Sequence, residues 1–196
     1  MKKLLSLGLA LALALPLLLI TAWADEMDYS GMDLDYYTRY KGQGKSLNVY
    51  NWGEYISDGS DGSLDVNKAF EELTGIKVVY STFDTNESLY AKLKTGGSSY
   101  DIIIPSDYMI ARMIQEEMLL PLDLGNIPNF EEAISDLYKD PSFDPGNRYS
   151  VPYTWGTVGL IYNTTMVDES DLIDSWGFLW DPVYAGNMLM FSNSKD

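Results

Sequence analysis

The chain has 196 residues, 29 of them acidic against 13 basic, for a net charge of −16, and it contains neither histidine nor cysteine. Those counts remove the Ser-His-Asp triad, imidazole and thiolate metal sites, thiol nucleophiles and disulfides. So acidic a chain is a poor partner for nucleic acid and a good one for cations, and with 46% apolar and 13% aromatic residues it is too hydrophobic to stay disordered.

Lys2 and Lys3 precede an almost wholly apolar run over residues 4–20, followed by Ala22-Trp23-Ala24 and then Asp25. This is the three-part order of a secretory signal. Residues 1–24 are therefore expected to direct export and to be cleaved after Ala24, placing the protein in the periplasm or on the extracellular face of the membrane. The same run is just long enough to span a bilayer as an uncleaved anchor. Residues 25–45 show no apolar period and end in Gly42-Gln43-Gly44, so they read as an acidic flexible linker. Within it the Tyr36-Tyr37 pair is either incidental or a docking patch.

From Ser46 the pattern alternates. Residues 47–51 form a β-rich run. Residues 64–73 carry a helical stripe of Leu64, Phe70 and Leu73, with Asp65 placed to cap the start and Gly75 to stop the end. A second strand is predicted at 76–82 and a second helix at 86–95. A third strand at 100–105 is apolar almost throughout, as a strand buried on both faces should be. A third helix runs from Tyr108 to Glu117. This order calls for a parallel sheet with right-handed crossovers. Beyond Leu122 the pattern loosens. Pro128, Pro141, Pro145 and Gly146 mark loops around a short helix at 131–137. Strands are predicted at 149–153 and 158–163, then a short helix at 175–179 and a last strand at 187–191. A bare strand followed by a polar tail suggests the N-terminal portion of a longer protein. The expected division is a first lobe at 46–152, lacking its C-terminal return, and the start of a second at 153–196.

In open parallel sheets, ligands bind outside the carboxyl ends of the strands. After the first strand come Trp52-Gly53-Glu54-Tyr55, after the third Ser106-Asp107-Tyr108, and after the last Ser192-Asn193-Ser194-Lys195-Asp196. Aromatic walls combined with carboxylates suit a flexible organic cation. An aromatic face attracts an ammonium by about 0.5–2 kcal/mol, and a carboxylate at about 4 Å adds about 4 kcal/mol at an effective dielectric of ~20, before desolvation. Micromolar affinity needs a net of about −8 kcal/mol, so several such contacts must act together. Plainer roles stand beside these: Trp52 as a cap on the core, Ser106 or Asp107 as the N-cap of the third helix, Glu54 as an exposed charge, and Asp196 as a polar terminus. The Asp58-Gly59-Ser60-Asp61-Gly62 loop hints at calcium, but it does not match the EF-hand pattern and is ordinary turn chemistry. Asn163-Thr164-Thr165 matches the glycosylation sequon, and the glycine-rich segments match neither phosphate-loop pattern.

Val49-Tyr50-Asn51-Trp52-Gly53-Glu54-Tyr55 resembles the first strand of the spermidine/putrescine-binding proteins of polyamine ABC importers. So do Leu73-Thr74-Gly75-Ile76-Lys77-Val78, Ser88-Leu89-Tyr90-Ala91-Lys92-Leu93-Lys94 and Tyr100-Asp101-Ile102-Ile103-Ile104-Pro105-Ser106. Tyr149-Ser150-Val151-Pro152-Tyr153-Thr154-Trp155-Gly156 is similar to that family's crossover strand, and Ser175-Trp176 and Leu179-Trp180 continue the likeness. Each motif is short, but their order and spacing together are specific.

The resemblance implies an α/β fold of the periplasmic-binding-protein-like type (type II), with a doubly wound parallel sheet in one lobe and the start of a second α/β lobe. It implies a receptor without cofactor or catalysis, which captures a polyamine (spermidine or putrescine) and delivers it to the membrane permease subunits of an ABC importer. By position, Trp52 and Tyr55 would be aromatic walls, Glu54 would face the polyamine, and Ser106 and Tyr108 would line the same cleft. Asp196 falls where the second lobe offers a carboxylate, and Asn193 where spermidine-binding members typically carry another. Gly53 stands where some members carry a hydroxyl. The amide at 193 and the glycine at 53 leave the ligand open, and relatives are nearly twice as long. Two alternatives stand beside this. One is the same fold binding another small organic cation or an amino-acid-like solute. The other is a secreted carboxylate-based hydrolase, which needs two acids facing each other, and no pair is so placed by sequence.

Overall fold

The computed structural model describes residues 29–97, 99–171 and 175–190; the expected export signal, residues 1–24, lies outside them. The chain divides into two units after Tyr153.

The first described element lies in the segment expected to be a structureless linker. Helix α1 (Leu34–Thr38) starts where the Tyr36 N–H donates to the Asp33 carboxylate at 3.2 Å. The Arg39 guanidinium lies 4.0 Å from the Tyr36 ring centroid and 4.7 Å from that of Tyr40, and Tyr37 meets Tyr36 edge-on at 5.1 Å. The linker expectation is corrected for these residues. Aromatic and cation–π packing holds the segment, a device that leaves no apolar period to detect.

The ladder of the first unit is built by strands β1 (Ser46–Trp52), β2 (Lys77–Phe83) and β3 (Ile102–Ile103). They lie in the order β2-β1-β3 and are parallel throughout. Ser46 pairs with Lys77, Trp52 with Phe83, and Val49 with Ile102. The crossovers are α2 (Val66–Thr74) and α3 (Asn86–Lys94), and α4 (Asp107–Gln115) follows β3. Asp65 accepts the Lys68 N–H at 2.9 Å, the capping role expected of it. Gly75 closes α2 at φ +71°. A Cβ there would stand 2.8 Å from the Lys41 backbone, so glycine is required both by the left-handed turn and by the close approach of the preceding segment. Thr85 and Ser88 form a reciprocal capping box that starts α3.

β3 is shorter than the predicted 100–105, and at its start the Asp101 carboxylate takes the Asn48 N–H at 2.7 Å. A side chain there replaces a backbone acceptor at the edge of the ladder. Tyr50, Phe83, Leu89, Met109 and Met113 form the core between the sheet and α3 and α4. The Tyr50 ring stacks on Tyr100 at 4.5 Å and meets Phe83 edge-on at 5.0 Å.

Later elements depart further from expectation. The helix predicted at 131–137 is α5 (Phe130–Ala133) followed by a separate 3-10 turn, Asp136–Tyr138. The break comes at Ile134, which is extended, and Ser135 caps the new turn. The strands predicted at 149–153 and 158–163, and at 187–190, pair with nothing among the described residues; Phe191 lies outside them. Alternation of apolar residues encodes a face, whereas a strand exists only against a neighbouring ladder. Val158 and Ile161 are accordingly exposed. The helix predicted at 175–179 is a 3-10 helix, Trp176–Trp180, capped by the Ser175 hydroxyl. In the second unit Phe178 is buried against the Tyr184 ring at 5.0 Å.

Candidate functional site

All three strands run parallel, so the loops that follow them leave from one edge of the sheet. Residues 52–67, 83–91 and 104–111 span those loops and the helix starts after them. They carry Glu54, Asp58, Asp61, Asp65, Asp84, Glu87 and Asp107 and no basic residue. Crossover helices run antiparallel to the strands, so the cations of α3 and α4 fall at the other end. There Glu116 is bound by Lys94, by the Tyr90 hydroxyl at 2.6 Å and by Arg112 at 3.0 Å. Those three donors, Lys94 foremost, lower the Glu116 pKa from 4.5 to about 2. Lys68, in the first turn of α2, is paired with Glu72, so the segments after the three strands leave an acidic excess at the carboxyl edge of the sheet.

Trp52 is the last residue of β1 and packs on the core. Its ring lies 4.6 Å from Phe83 and 5.9 Å from Tyr55. Both roles foreseen for it, core cap and aromatic wall, are therefore open to one side chain. Tyr55 is half exposed, at 48%, and its carbonyl accepts the Tyr153 hydroxyl. Glu54, between them, is exposed.

Ser106 stands at the N-cap position of α4, but its hydroxyl does not cap the helix. It accepts the Asn86 amide at 3.0 Å, while the Ser106 N–H donates to the Asn86 carbonyl oxygen at 2.9 Å. Asn86 is fully buried, so this reciprocal pair locks the loop after β3 to the start of α3. The Tyr108 N–H donates to Asp107 at 2.6 Å, and its hydroxyl donates to Glu87 at 3.2 Å. Asn86 and Glu87 are not among the candidates of the sequence reading, which takes the ends of the first, third and last strands and passes over the second. The signal was present: the Thr85 capping box directly after β2 puts the next two residues at the same end of the sheet. Trp52 and Tyr108 pack against the same core cluster. Asn193 and Asp196 lie outside the described residues.

Beneath this edge Asn51 is buried, and it accepts the Trp52 N–H at 2.8 Å. The Tyr80 hydroxyl is buried without a hydrogen bond of good geometry. Burial pushes that phenol up, against a smaller lowering by Asn51, with Tyr153 adding to the rise. The Asp58 loop is a turn: Asp58 accepts the Ser60 N–H at 2.9 Å. Among the described residues no group of three acidic side chains is placed to hold a metal ion.

Residues 98–196 match a family described as bacterial extracellular solute-binding protein. Over 152 residues the chain is 38% identical to the spermidine/putrescine-binding periplasmic protein of Escherichia coli (strain K12), covering 77% of this chain and 41% of that one. It is 38% identical over 143 residues to the putrescine-binding periplasmic protein SpuD of Pseudomonas aeruginosa (strain UCBPP-PA14), covering 70% and 37%. Among solved structures it is similar to the spermidine/putrescine ABC transporter substrate-binding protein PotD of Streptococcus pneumoniae strain Canada MDR_19A. The TM-score is 0.60 at 47% identity, over 72% of this chain and 41% of that one. The chain spans about two fifths of the length of the curated relatives it matches. The α/β fold expected from sequence is the fold of these binding proteins.

Proposed function

We propose, from the premise that the chain belongs to the bacterial extracellular solute-binding protein family, that the protein is an exported receptor for a polyamine, spermidine or putrescine. It hands the captured solute to the permease subunits of an ABC importer, and it acts in the periplasm or on the outer face of the membrane. The observation that carries this is the carboxyl edge of the sheet, where the segments after the three strands hold seven acidic residues and the Trp52–Tyr55 aromatic pair stands at the end of β1. Glu54 and Glu87 supply negative charge to ammonium groups. Trp52 and Tyr55 cover the methylene chain and add cation–π attraction, and Ser106 and Tyr108 line the same edge. Asn193 and Asp196 are further candidates on the resemblance alone. The function is capture without bond chemistry, in keeping with relatives named as binding proteins; nothing about it calls for nucleic acid or a cofactor.

Calorimetric titration of the full-length protein with spermidine and with putrescine tests this. Saturable one-to-one binding in the micromolar range, about −8 kcal/mol, is expected for at least one of them. Trp52→Ala is expected to weaken it by about 1–2 kcal/mol through the lost cation–π face. It also lowers stability, because the ring rests on Phe83. Saturation by an amino acid with neither polyamine binding would instead establish the same fold serving another solute.

A further inference from the structure

The turn that carries Glu54 and Tyr55 is exposed and lies beyond the ladder of β1. It is tied down at two points. At the far end the Val66 N–H donates to the Ser57 carbonyl at 3.1 Å. In the middle the Tyr153 hydroxyl donates to the Tyr55 carbonyl, across 98 residues of sequence. Tyr153 is in turn hung from a loop that is closed by buried groups. The Asp144 carboxylate, 1% exposed, accepts the Tyr149 N–H at 3.1 Å, the Ser150 N–H at 2.8 Å and the Ser150 hydroxyl at 2.7 Å. Asn147, also buried and held at φ +49°, donates its amide to the Ser150 carbonyl at 3.2 Å and accepts the Asp140 N–H at 2.7 Å. Three residues beyond Ser150 the chain reaches Tyr153.

We infer that Tyr153 is a positioning residue for the solute site: its phenol, held from the Asp144 loop, fixes the Tyr55 carbonyl and so sets the turn that presents Glu54 and the Tyr55 ring beside Trp52. The side chain is 53% exposed, so it adds little to the core, and its hydroxyl donates to the turn after β1. A flexible turn would have to be ordered when solute arrives, at a cost in affinity. A turn already tied at Tyr55 avoids that loss. The inference rests on the proposed polyamine site for its consequence, though not for its geometry.

Tyr153→Phe in the full-length protein keeps the ring and removes the donor. Exchange of the Val66 N–H, which closes the turn on the Ser57 carbonyl, is expected to quicken about fivefold in the unliganded protein, as loss of one net hydrogen bond implies, with exchange in α3 unchanged. Spermidine affinity is expected to fall by about the same factor with little change in Tm. In a double-mutant cycle with Tyr55→Ala the two losses are expected to be less than multiplicative, because both act through one turn. Unchanged exchange at Val66, or fully multiplicative losses, would overturn the assignment. If the wild-type protein binds no polyamine the functional proposal fails, and the exchange measurement still decides whether Tyr153 holds the turn.

Discussion

In the first unit Leu89, Met109 and Met113 are sealed from solvent between the sheet and two helices, whereas in the second Val158, Ile161 and Leu189 stand 80–101% exposed and Phe178 alone among the described residues is buried. The difference lies in how each is held. The first unit is closed by pairings between distant segments, Ser46 with Lys77 and Val49 with Ile102. The second is a series of short turns, each capped by a nearby side chain. Ser175 serves Gly177, Asp181 serves Val183 and Asp168 serves Ser170. Local caps fix where a chain bends, but only ladders bring apolar faces together. The residues of the candidate site that the structure describes all hang from the ladder side of this contrast, which is why their geometry is defined.

The sharpest way to break the comparison is to remove one core side chain from each unit. Leu89→Ala is expected to lower stability by about 3 kcal/mol, within the range for fully buried leucines. Phe178→Ala should leave the unfolding transition of the first unit in place. Urea denaturation of the full-length protein, followed by circular dichroism, measures both, and equal losses would contradict the distinction. A smaller effect is expected at the end of the first unit. Asp144→Ala strands the Tyr149 and Ser150 donors and should cost about 2 kcal/mol. A loss below about 0.5 kcal/mol would mean that water replaces the carboxylate.

The least effect is expected from the exposed network on Glu116, and it is visible mainly through pH. Its carboxyl is lowered in the folded state from 4.5 to about 2 by Lys94, Tyr90 and Arg112. The folded form therefore binds this proton less readily than the unfolded one. The network's stabilisation is complete above about pH 4.5 and is lost as pH falls from there towards 2. Glu116→Gln should lower Tm slightly at pH 7 and flatten its decline over that window. A wild-type and a variant curve that stay parallel from pH 7 to 2 would remove the network from the account.

Much of the first unit was legible in sequence because its signals were local and mutually consistent. Asp65 and Gly75 mark both ends of α2, and apolar runs at 47–51 and 76–82 mark two strands to within one residue at each end. β3 is shorter than its apolar run suggests, and at its start the Asp101 carboxylate takes an N–H from the ladder. The strands expected at 149–153 and 158–163 failed for a different reason, since a pairing partner is not written into a segment's own pattern. α1 went unseen because rings and a guanidinium hold it without periodicity. The structure places Trp52, Glu54, Tyr55, Ser106 and Tyr108 at the ends of the first and third strands, where the strand-end rule directs attention and where the resemblance picks them out. Asn86 and Glu87 follow from the same rule applied to β2. The Tyr153–Tyr55 bond joins residues too far apart in sequence for any local signal to report it.

The central claim is that solute engages the carboxyl edge of the β2-β1-β3 sheet. Hydrogen exchange of the full-length protein with and without saturating spermidine tests it most directly. Protection is expected at residues 53–57, 84–88 and 106–108, with none in the C-terminal turns of α3 and α4. Saturable spermidine binding that protects none of those three loops would contradict it.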